Sequence, residues 1–263
     1  MRRSWPGLLL IVASLPLLLL LSVPLATLVR RVDIATLRAV LAERDIQQAI
    51  SLSLITTSFT AVICVILGTP LAYLLARRRF RGRLLLDTLI DLPMVLPPSV
   101  AGIALLVAFG RRGFFGPQLT ELGIELAFSR AAVVVAQVFV AAPYYVKSTV
   151  VGFSSVEREL EYAAAIDGAN TAQVFRFITL PLAAPALIGG LIMTWARALG
   201  EFGATIIFAG NFPGRTQTMP LAIYLGFELE LRIAITLSVV LLAISFAVLF
   251  IVKGLLRARL LWQ

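Results

Sequence analysis

Six long apolar stretches restrict the fold of this chain more than any other feature of its sequence. A helix needs about 20 mostly apolar residues to cross the hydrocarbon core of a bilayer, and a spanning segment must satisfy its own backbone hydrogen bonds. The stretches run from 7 to 29, 51 to 76, 88 to 110, 131 to 151, 182 to 210 and 233 to 252. We therefore expect an all-α, polytopic membrane protein with about six transmembrane helices, forming one domain over residues 1–263.

The composition agrees with a membrane protein and excludes several kinds of chemistry. Apolar residues make up 60% of the chain and charged residues 14%, whereas soluble domains carry about 25% charged residues. Histidine, the commonest metal ligand and general base, does not occur, and Cys64 is the single cysteine. We therefore expect no catalytic residue, no metal site and no cofactor.

The first apolar stretch has an alternative interpretation, because a basic start followed by an apolar run is also typical of a signal peptide. Arg2 and Arg3 precede the run, and the segment from Ser22 to Ala26 resembles a weak cleavage site. The run is longer than a typical signal-peptide core, and five more apolar stretches follow it. We expect it to be retained as a membrane helix.

The positions of the basic residues predict the orientation in the membrane. Five arginines lie between positions 77 and 83, the densest basic cluster in the chain. Basic residues in short loops favour the cytoplasmic side, so this cluster predicts that both termini are cytoplasmic. The net charge of +9 thus marks membrane edges, and without interleaved aromatic residues it does not indicate a nucleic-acid partner.

The polar segment 153–181 between the fourth and fifth stretches has local helix signals. Ser154 and Glu157 fit a capping box, which predicts a helix starting near Ser155 and ending at Gly168. A second start at Asn170 predicts another short helix that stops before Pro181. The segment therefore predicts two short helices hinged at a glycine.

Small side chains characterise one face of the first of these helices. Leu160, Ala163 and Ala164 recur at helical spacing. An exposed face of this kind is typical of a binding surface, because small side chains allow another backbone to approach closely. The alternative is a connector that packs on its own bundle.

Ionisable residues and prolines interrupt two of the stretches. Arg197 and Glu201 lie four residues apart and are expected to pair on one helix face. A charged residue at a helix centre costs about 2.5–3.5 kcal/mol, so such residues usually face a protein interior or a water-filled path. The run from Asp91 to Ser99 contains Pro97 and Pro98 and predicts a kink. Both segments either border a pathway or serve only packing.

An outer loop follows the fifth stretch, from Asn211 to Tyr224. It offers one arginine and three uncharged polar side chains. These groups either meet an anion or a partner protein, or simply face water.

The inner segment resembles a known motif. The run Glu-Tyr-Ala-Ala-Ala-Ile-Asp-Gly at 161–168, followed by Ile-Thr-Leu-Pro at 178–181, is similar to the EAA loop of permease subunits of ATP-binding-cassette importers. At the position of the family's glutamate this chain has Tyr162, with Glu161 one residue earlier. The resemblance implies that the segment docks onto an ATPase subunit through Glu161, Ala163, Ala164, Asp167, Gly168 and Pro181.

Further segments resemble the molybdate permease family, at 92–98, 196–205, 208–211 and 213–224. Sulfate and tungstate permeases share part of this pattern. The resemblance implies a type I importer permease fold, a homodimer, two cytoplasmic ATPase subunits and an extracytoplasmic oxyanion-binding protein, in the cytoplasmic membrane of a prokaryote. From their own chemistry we expect the following residues to border a translocation pathway: Pro97, Pro98, Ser99, Arg197, Glu201, Thr205 and Asn211.

The sequence contains no Gly-x-x-x-x-Gly-Lys-Ser/Thr phosphate-binding loop. The chain is therefore expected to lack its own ATP site and to import molybdate by alternating access, with ATP hydrolysis in a partner subunit. The alternatives are a sulfate or tungstate permease, or a membrane-embedded enzyme or assembly factor that works without an ATPase.

Overall fold

Helices make up the whole regular structure of the computed structural model, which describes residues 5–260 and the side chains of residues 10–254. Thirteen α-helices and one π-helical turn occur in this part of the chain, and no strand does, which confirms the all-α prediction. Arg2 and Arg3 lie outside the described residues. The helices are α1 (Trp5–Arg30), α2 (Ile34–Ala42), α3 (Arg44–Arg77), α4 (Arg83–Val95), α5 (Pro98–Phe109), α6 (Gly116–Glu121), α7 (Arg130–Ser155), α8 (Arg158–Ile166), α9 (Thr171–Val174), α10 (Leu180–Leu199), α11 (Gly203–Phe208), α12 (Met219–Leu229) and α13 (Leu231–Leu260).

Five helical segments are long and apolar enough to cross a membrane. α4 and α5 are shorter and meet at a bend of 117°. If they are counted together as one broken span, the number of spans reaches the predicted six. The five continuous segments are Leu10–Arg30, Arg44–Arg77, Arg130–Ser155, Thr171–Leu199 and Leu231–Gly254.

The third stretch contains a break where we expected a kinked but continuous helix. Leu96 is extended, with φ −65° and ψ 137°, as expected for a residue that precedes a proline. Pro98 then occupies the first position of α5, where a missing N–H costs nothing. Consecutive prolines thus end one helix and start the next.

The fifth stretch is displaced relative to the prediction of 182–210. It ends at Leu199, and α11 starts after a short non-helical segment. The predicted stop before Pro181 was wrong, because a π-helical turn, Phe175–Thr179, joins α9 to α10. The Leu180 N–H donates to the Phe175 carbonyl, and this wider turn allows the helix to continue into a residue that has no N–H.

One of the two predicted caps was also wrong. α7 continues through Ser155, whose hydroxyl donates to the Gly152 carbonyl at 2.8 Å, and α8 starts at Arg158. Phe153 and Val156 are buried in a core cluster with residues of α3 and α10, so tertiary packing outweighs the local capping signal. The second cap is confirmed, since the side chains and backbones of Asn170 and Gln173 bond reciprocally.

Close packing of α7 against α3 and α10 forms the centre of the bundle. A Cβ added to Gly190 would lie 2.7 Å from the Cβ of Ser148, so the α7 and α10 backbones approach closely there. Hydrogen bonds add to this packing: a buried one from Thr60 Oγ1 to Gln137 Oε1 at 3.0 Å, and a partly buried one from Ser148 Oγ to the Ala186 carbonyl at 2.7 Å. Small residues and buried polar groups are the usual means by which helices associate in lipid.

Replacing Gly190 with leucine is expected to lower the melting temperature of the purified protein in detergent. The larger side chain has no space against Ser148, and overpacking of this kind costs about 1–3 kcal/mol. Gly189→Leu is the matched control, because no atom lies within 4 Å of a Cβ added there. Equal losses in both variants would contradict this packing argument.

Candidate functional site

The two broken spans meet at one place in the bundle. α5, which follows the proline break, packs against α11, which follows the break after Leu199. A Cβ added to Gly203 would lie 2.7 Å from the Cβ of Pro98, and one added to Gly102 would lie 2.8 Å from the Cβ of Ile207. Broken helices expose backbone polar groups at membrane depth, and they occur where such groups are buried in protein or line a cavity.

An ion pair lies at the second break. Arg197 Nη1 is 2.7 Å from Glu201 Oε2, so the pair expected from their spacing is present. The other oxygen, Oε1, accepts from the Ala204 N–H at 2.8 Å. Glu201 is almost completely buried at 1% exposed, whereas the Arg197 side chain is 27% exposed. One carboxylate therefore orients the arginine and caps α11, while part of the guanidinium remains accessible.

The remaining predicted pathway residues differ in exposure. Pro97, Pro98 and Ser99 are exposed, beside the first break. Thr205 is fully buried, and its hydroxyl has no hydrogen-bond partner among the described residues. Asn211 is half-buried, and its Oδ1 likewise has no partner in the described part of the chain.

The outer loop folds inward more than its composition suggests. Thr216, Gln217 and Thr218 are buried, so they do not face water, which was one of the two alternatives that the sequence left open. The Thr216 hydroxyl donates to the Gly210 carbonyl, and the Met219 N–H donates to Ser53 Oγ at 2.7 Å. The first bond closes the loop on itself, and the second holds the start of α12 against α3. Arg215 is left as the exposed charged residue of this loop.

The segment that joins α5 to α7 has its own exposed ion pair. Arg111 Nη2 lies 2.7 Å from Glu125 Oε1. The hydrogen bond and positive charge of Arg111 hold the pKa of the Glu125 carboxyl below its ordinary value. Arg130 Nη2 donates to the Gly214 carbonyl at 3.0 Å and connects the start of α7 to the neighbouring outer loop.

Sequence reasoning missed an ionic cluster between α4 and α7. Lys147 Nζ is 2.8 Å from both Asp87 Oδ1 and Asp91 Oδ2. The two carboxylates lie one turn apart on α4, and that spacing is visible in the sequence. The partner lysine is 56 residues or more away in the chain, so only the tertiary structure reveals it. Since α4 has no buried residues, this cluster helps to fix it to the bundle.

The inner loop presents a mostly apolar surface. Tyr162 and Ile166 are 59% and 85% exposed, and Ala163, Asp167 and Gly168 are exposed as well. Ala164 is half-buried, and Pro181 lies beyond the π-helical turn, in the first turn of α10. Gly168 has a φ of +93°, and no atom lies within 4 Å of a Cβ added there. The first helix of the loop is therefore open to a partner along its exposed side.

Glu161 faces the opposite way, into its own bundle. Its Oε1 accepts hydrogen bonds from Arg77 Nη2 at 2.9 Å and from Thr179 Oγ1 at 2.6 Å. Among the described residues, no three carboxylate or thiol side chains lie close enough to hold a metal ion. The recognisable features are thus two helix breaks with a partly exposed arginine, and an exposed inner helix.

Both features fall inside a region that matches a known protein family. Residues 68–261 match the family described as binding-protein-dependent transport system inner membrane component. The chain belongs to this family. It is therefore a multi-pass permease of an ATP-binding-cassette transporter, and it is not itself the ATPase.

Two relatives with a named transport substrate are similar to this chain. The permease is 44% identical over 224 residues, 85% of each chain, to the molybdenum transport system permease protein ModB of Mycobacterium bovis. It is 34% identical over 220 residues, 83% of this chain and 77% of the other, to the sulfate transport system permease protein CysW of Synechococcus elongatus.

A solved structure supports the fold. The permease is similar, with a TM-score of 0.75 and 15% identity, to a chain of a bacterial alginate ABC transporter in complex with an alginate-pentasaccharide-bound periplasmic protein. The likeness covers 98% of this chain and 96% of that one. The predicted importer permease fold is confirmed.

Replacing Glu201 with alanine is expected to destabilise the permease by about 3–5 kcal/mol, because it leaves the Arg197 charge without its partner and removes the cap of α11. The melting temperature of the purified protein measures this loss. Glu230→Ala is the control, since it breaks an exposed pair with Arg232 and should cost at most about 1 kcal/mol. A similar small loss in both variants would show that the buried pair is not structurally important.

Proposed function

We propose that this permease carries molybdate across the cytoplasmic membrane of a prokaryote by alternating access, with two copies of the chain forming the pathway. The likeness to permeases named for molybdenum transport carries this proposal. It includes the region that contains both helix breaks and the inner loop, because the family match extends from residue 68 to 261.

The chemistry at the breaks suits a tetrahedral oxyanion in transit. Arg197 offers a guanidinium that is partly exposed, while Glu201 neutralises much of its charge. A conduit must attract its substrate and still release it, so a partly neutralised cation is appropriate. We assign the pathway to Arg197, Glu201 and the exposed Pro97–Ser99 segment, with Thr205 and Asn211 lining it when the breaks move apart.

The inner loop is the site at which we expect a partner ATPase. Its exposed side combines Ala163, Tyr162 and Ile166 with the left-handed turn at Gly168, and Asp167 adds a charge beside that turn. We propose that each copy binds one ATPase subunit here and that Ala164 and Pro181 support the contact. The cluster of arginines from Arg77 to Arg83 keeps this side of the permease and both termini in the cytoplasm. A binding protein delivers the oxyanion to the outer side.

Sulfate is the second candidate substrate, because a sulfate permease is also among the relatives. Sulfate, tungstate and molybdate have the same charge and tetrahedral shape, so the permease itself offers little with which to distinguish them. In this arrangement the binding protein determines which oxyanion is imported. A non-transport membrane enzyme would instead be active without an ATPase.

The reconstituted complex tests the substrate directly. Liposomes containing the permease and its ATPase should hydrolyse ATP faster when the binding protein is loaded with molybdate than when it is empty. The measurement compares ATP hydrolysis and anion uptake for protein loaded with molybdate, tungstate or sulfate. Stimulation by sulfate alone would contradict the substrate, and activity without the ATPase would contradict transport.

Gly168→Trp is expected to leave the permease in the membrane but to uncouple anion uptake from ATP hydrolysis. A bulky residue at this positive φ distorts the turn and projects from the proposed docking surface. Gly82→Trp is the matched control, because Gly82 has a φ of +89°, equally open surroundings and a position outside the inner loop. Normal uptake by Gly168→Trp, measured in the same liposomes, would exclude the proposed docking site.

A further inference from the structure

One carboxylate oxygen joins three separate segments on the inner side of the permease. Glu161 Oε1, on α8, accepts from Arg77 Nη2 at 2.9 Å and from Thr179 Oγ1 at 2.6 Å. Arg77 is the last residue of α3, and Thr179 is the last residue of the π-helical turn that precedes α10. The loop helix is therefore bonded at one point to two of the membrane-spanning segments.

Burial makes this contact stronger than a surface ion pair. The side chains of Arg77 and Glu161 are only 9% and 16% exposed, and Arg77 Nη2 donates a further bond to the Val156 carbonyl at 3.0 Å. Exposed pairs are usually worth at most about 1 kcal/mol. Charge-assisted bonds shielded from water are stronger, and removal of one partner leaves an uncompensated charge.

The spanning segments provide a rigid support for this contact. Thr179 is fully buried. Beside it, the ring of Phe175 lies 5.2 Å from the ring of Tyr73 on α3 and 6.0 Å from that of Phe153 on α7. The π-helical winding of the chain at 175–179 thus packs against α3 and α7 while it presents a hydroxyl to Glu161.

The rest of α8 is attached only weakly to the spans. The helix has no buried residues, and Leu160, Tyr162 and Ile166 are largely exposed. Besides Glu161, the described α8 side chain that hydrogen-bonds to α3 is Arg158, which donates to the Arg77 carbonyl at the longer distance of 3.4 Å. Few other polar contacts therefore connect α8 to the membrane-spanning helices and could transmit a movement of α8 to them.

We propose that Glu161 is a positioning residue which, through Arg77 and Thr179, transmits movement of the inner loop to α3 and α10 and so sets the coupling between ATP hydrolysis and transport. This role rests on the proposed function, because it requires an ATPase at the loop. It also assigns different tasks to two neighbours: Tyr162 faces the partner, and Glu161 holds the helix to the spans.

The test compares four variants of the reconstituted complex by the number of anions imported per ATP hydrolysed. Glu161→Gln removes the charge, and Thr179→Val removes the hydroxyl without leaving a buried charge unpaired. Both are expected to bind the ATPase and to hydrolyse ATP, but to lower the ratio about tenfold, within the usual range of coupling between distant sites. The controls, Glu125→Gln in the exposed pair with Arg111 outside the inner loop and Thr179→Ser, should keep the wild-type ratio.

A double variant tests whether the pair acts as a unit. Arg77→Gln with Glu161→Gln should lower the ratio no further than Glu161→Gln alone. An unchanged ratio in Glu161→Gln and Thr179→Val would overturn the proposal. An equal loss in Thr179→Ser would also overturn it, because packing rather than the hydroxyl would then be responsible. If Glu161→Gln does not assemble, Thr179→Val decides.

The two proposals fail in different ways. A wild-type complex that shows no ATP-driven uptake of any oxyanion would contradict the proposed function. Normal wild-type uptake with unaffected variants would contradict only the role of Glu161.

Discussion

Backbone groups that face lipid cannot remain without hydrogen bonds, and the arrangement of this permease depends on that constraint. Two of its spans are interrupted, one at consecutive prolines and one after Leu199. The bundle tolerates both interruptions because it packs the segments that follow them against each other, with Gly203 in contact with Pro98. Glu201 then supplies the acceptor for the Ala204 N–H in the first turn of α11 and the counter-ion for Arg197. A single buried carboxylate thus accepts a hydrogen bond from the backbone and pairs with a cation at membrane depth.

The sequence predicted the features that depend on local pattern. Apolar length located the spans, the four-residue spacing located the pair of Arg197 and Glu201, and the Asn170 cap was correct because both of its bonds are local. Local pattern failed where packing competed with it. The residue types at Ser154 and Glu157 predict a helix N-cap, but α7 continues through Ser155 because Phe153 and Val156 are buried.

Other features could not be read from the sequence, since they depend on residues far apart in the chain. The two aspartates of α4 are visible as a spaced pair, but nothing local assigns them to Lys147. The departure at Tyr162 from the family's motif likewise has no local explanation. In the fold, Tyr162 lies on the exposed side of α8. The neighbouring Glu161 contacts Arg77, which lies 84 residues earlier in the chain.

The π-helical turn at 175–179 has a mechanical consequence. By winding through Pro181 instead of stopping before it, the chain makes one uninterrupted helical segment from Thr171 to Leu199, 29 residues long. At about 1.5 Å per residue this is a rod of about 43 Å. One end lies in the inner loop and the other ends at the break beside Arg197. A tilt of this segment about a point near the inner loop would displace the arginine at its other end sideways, without any helix having to unwind.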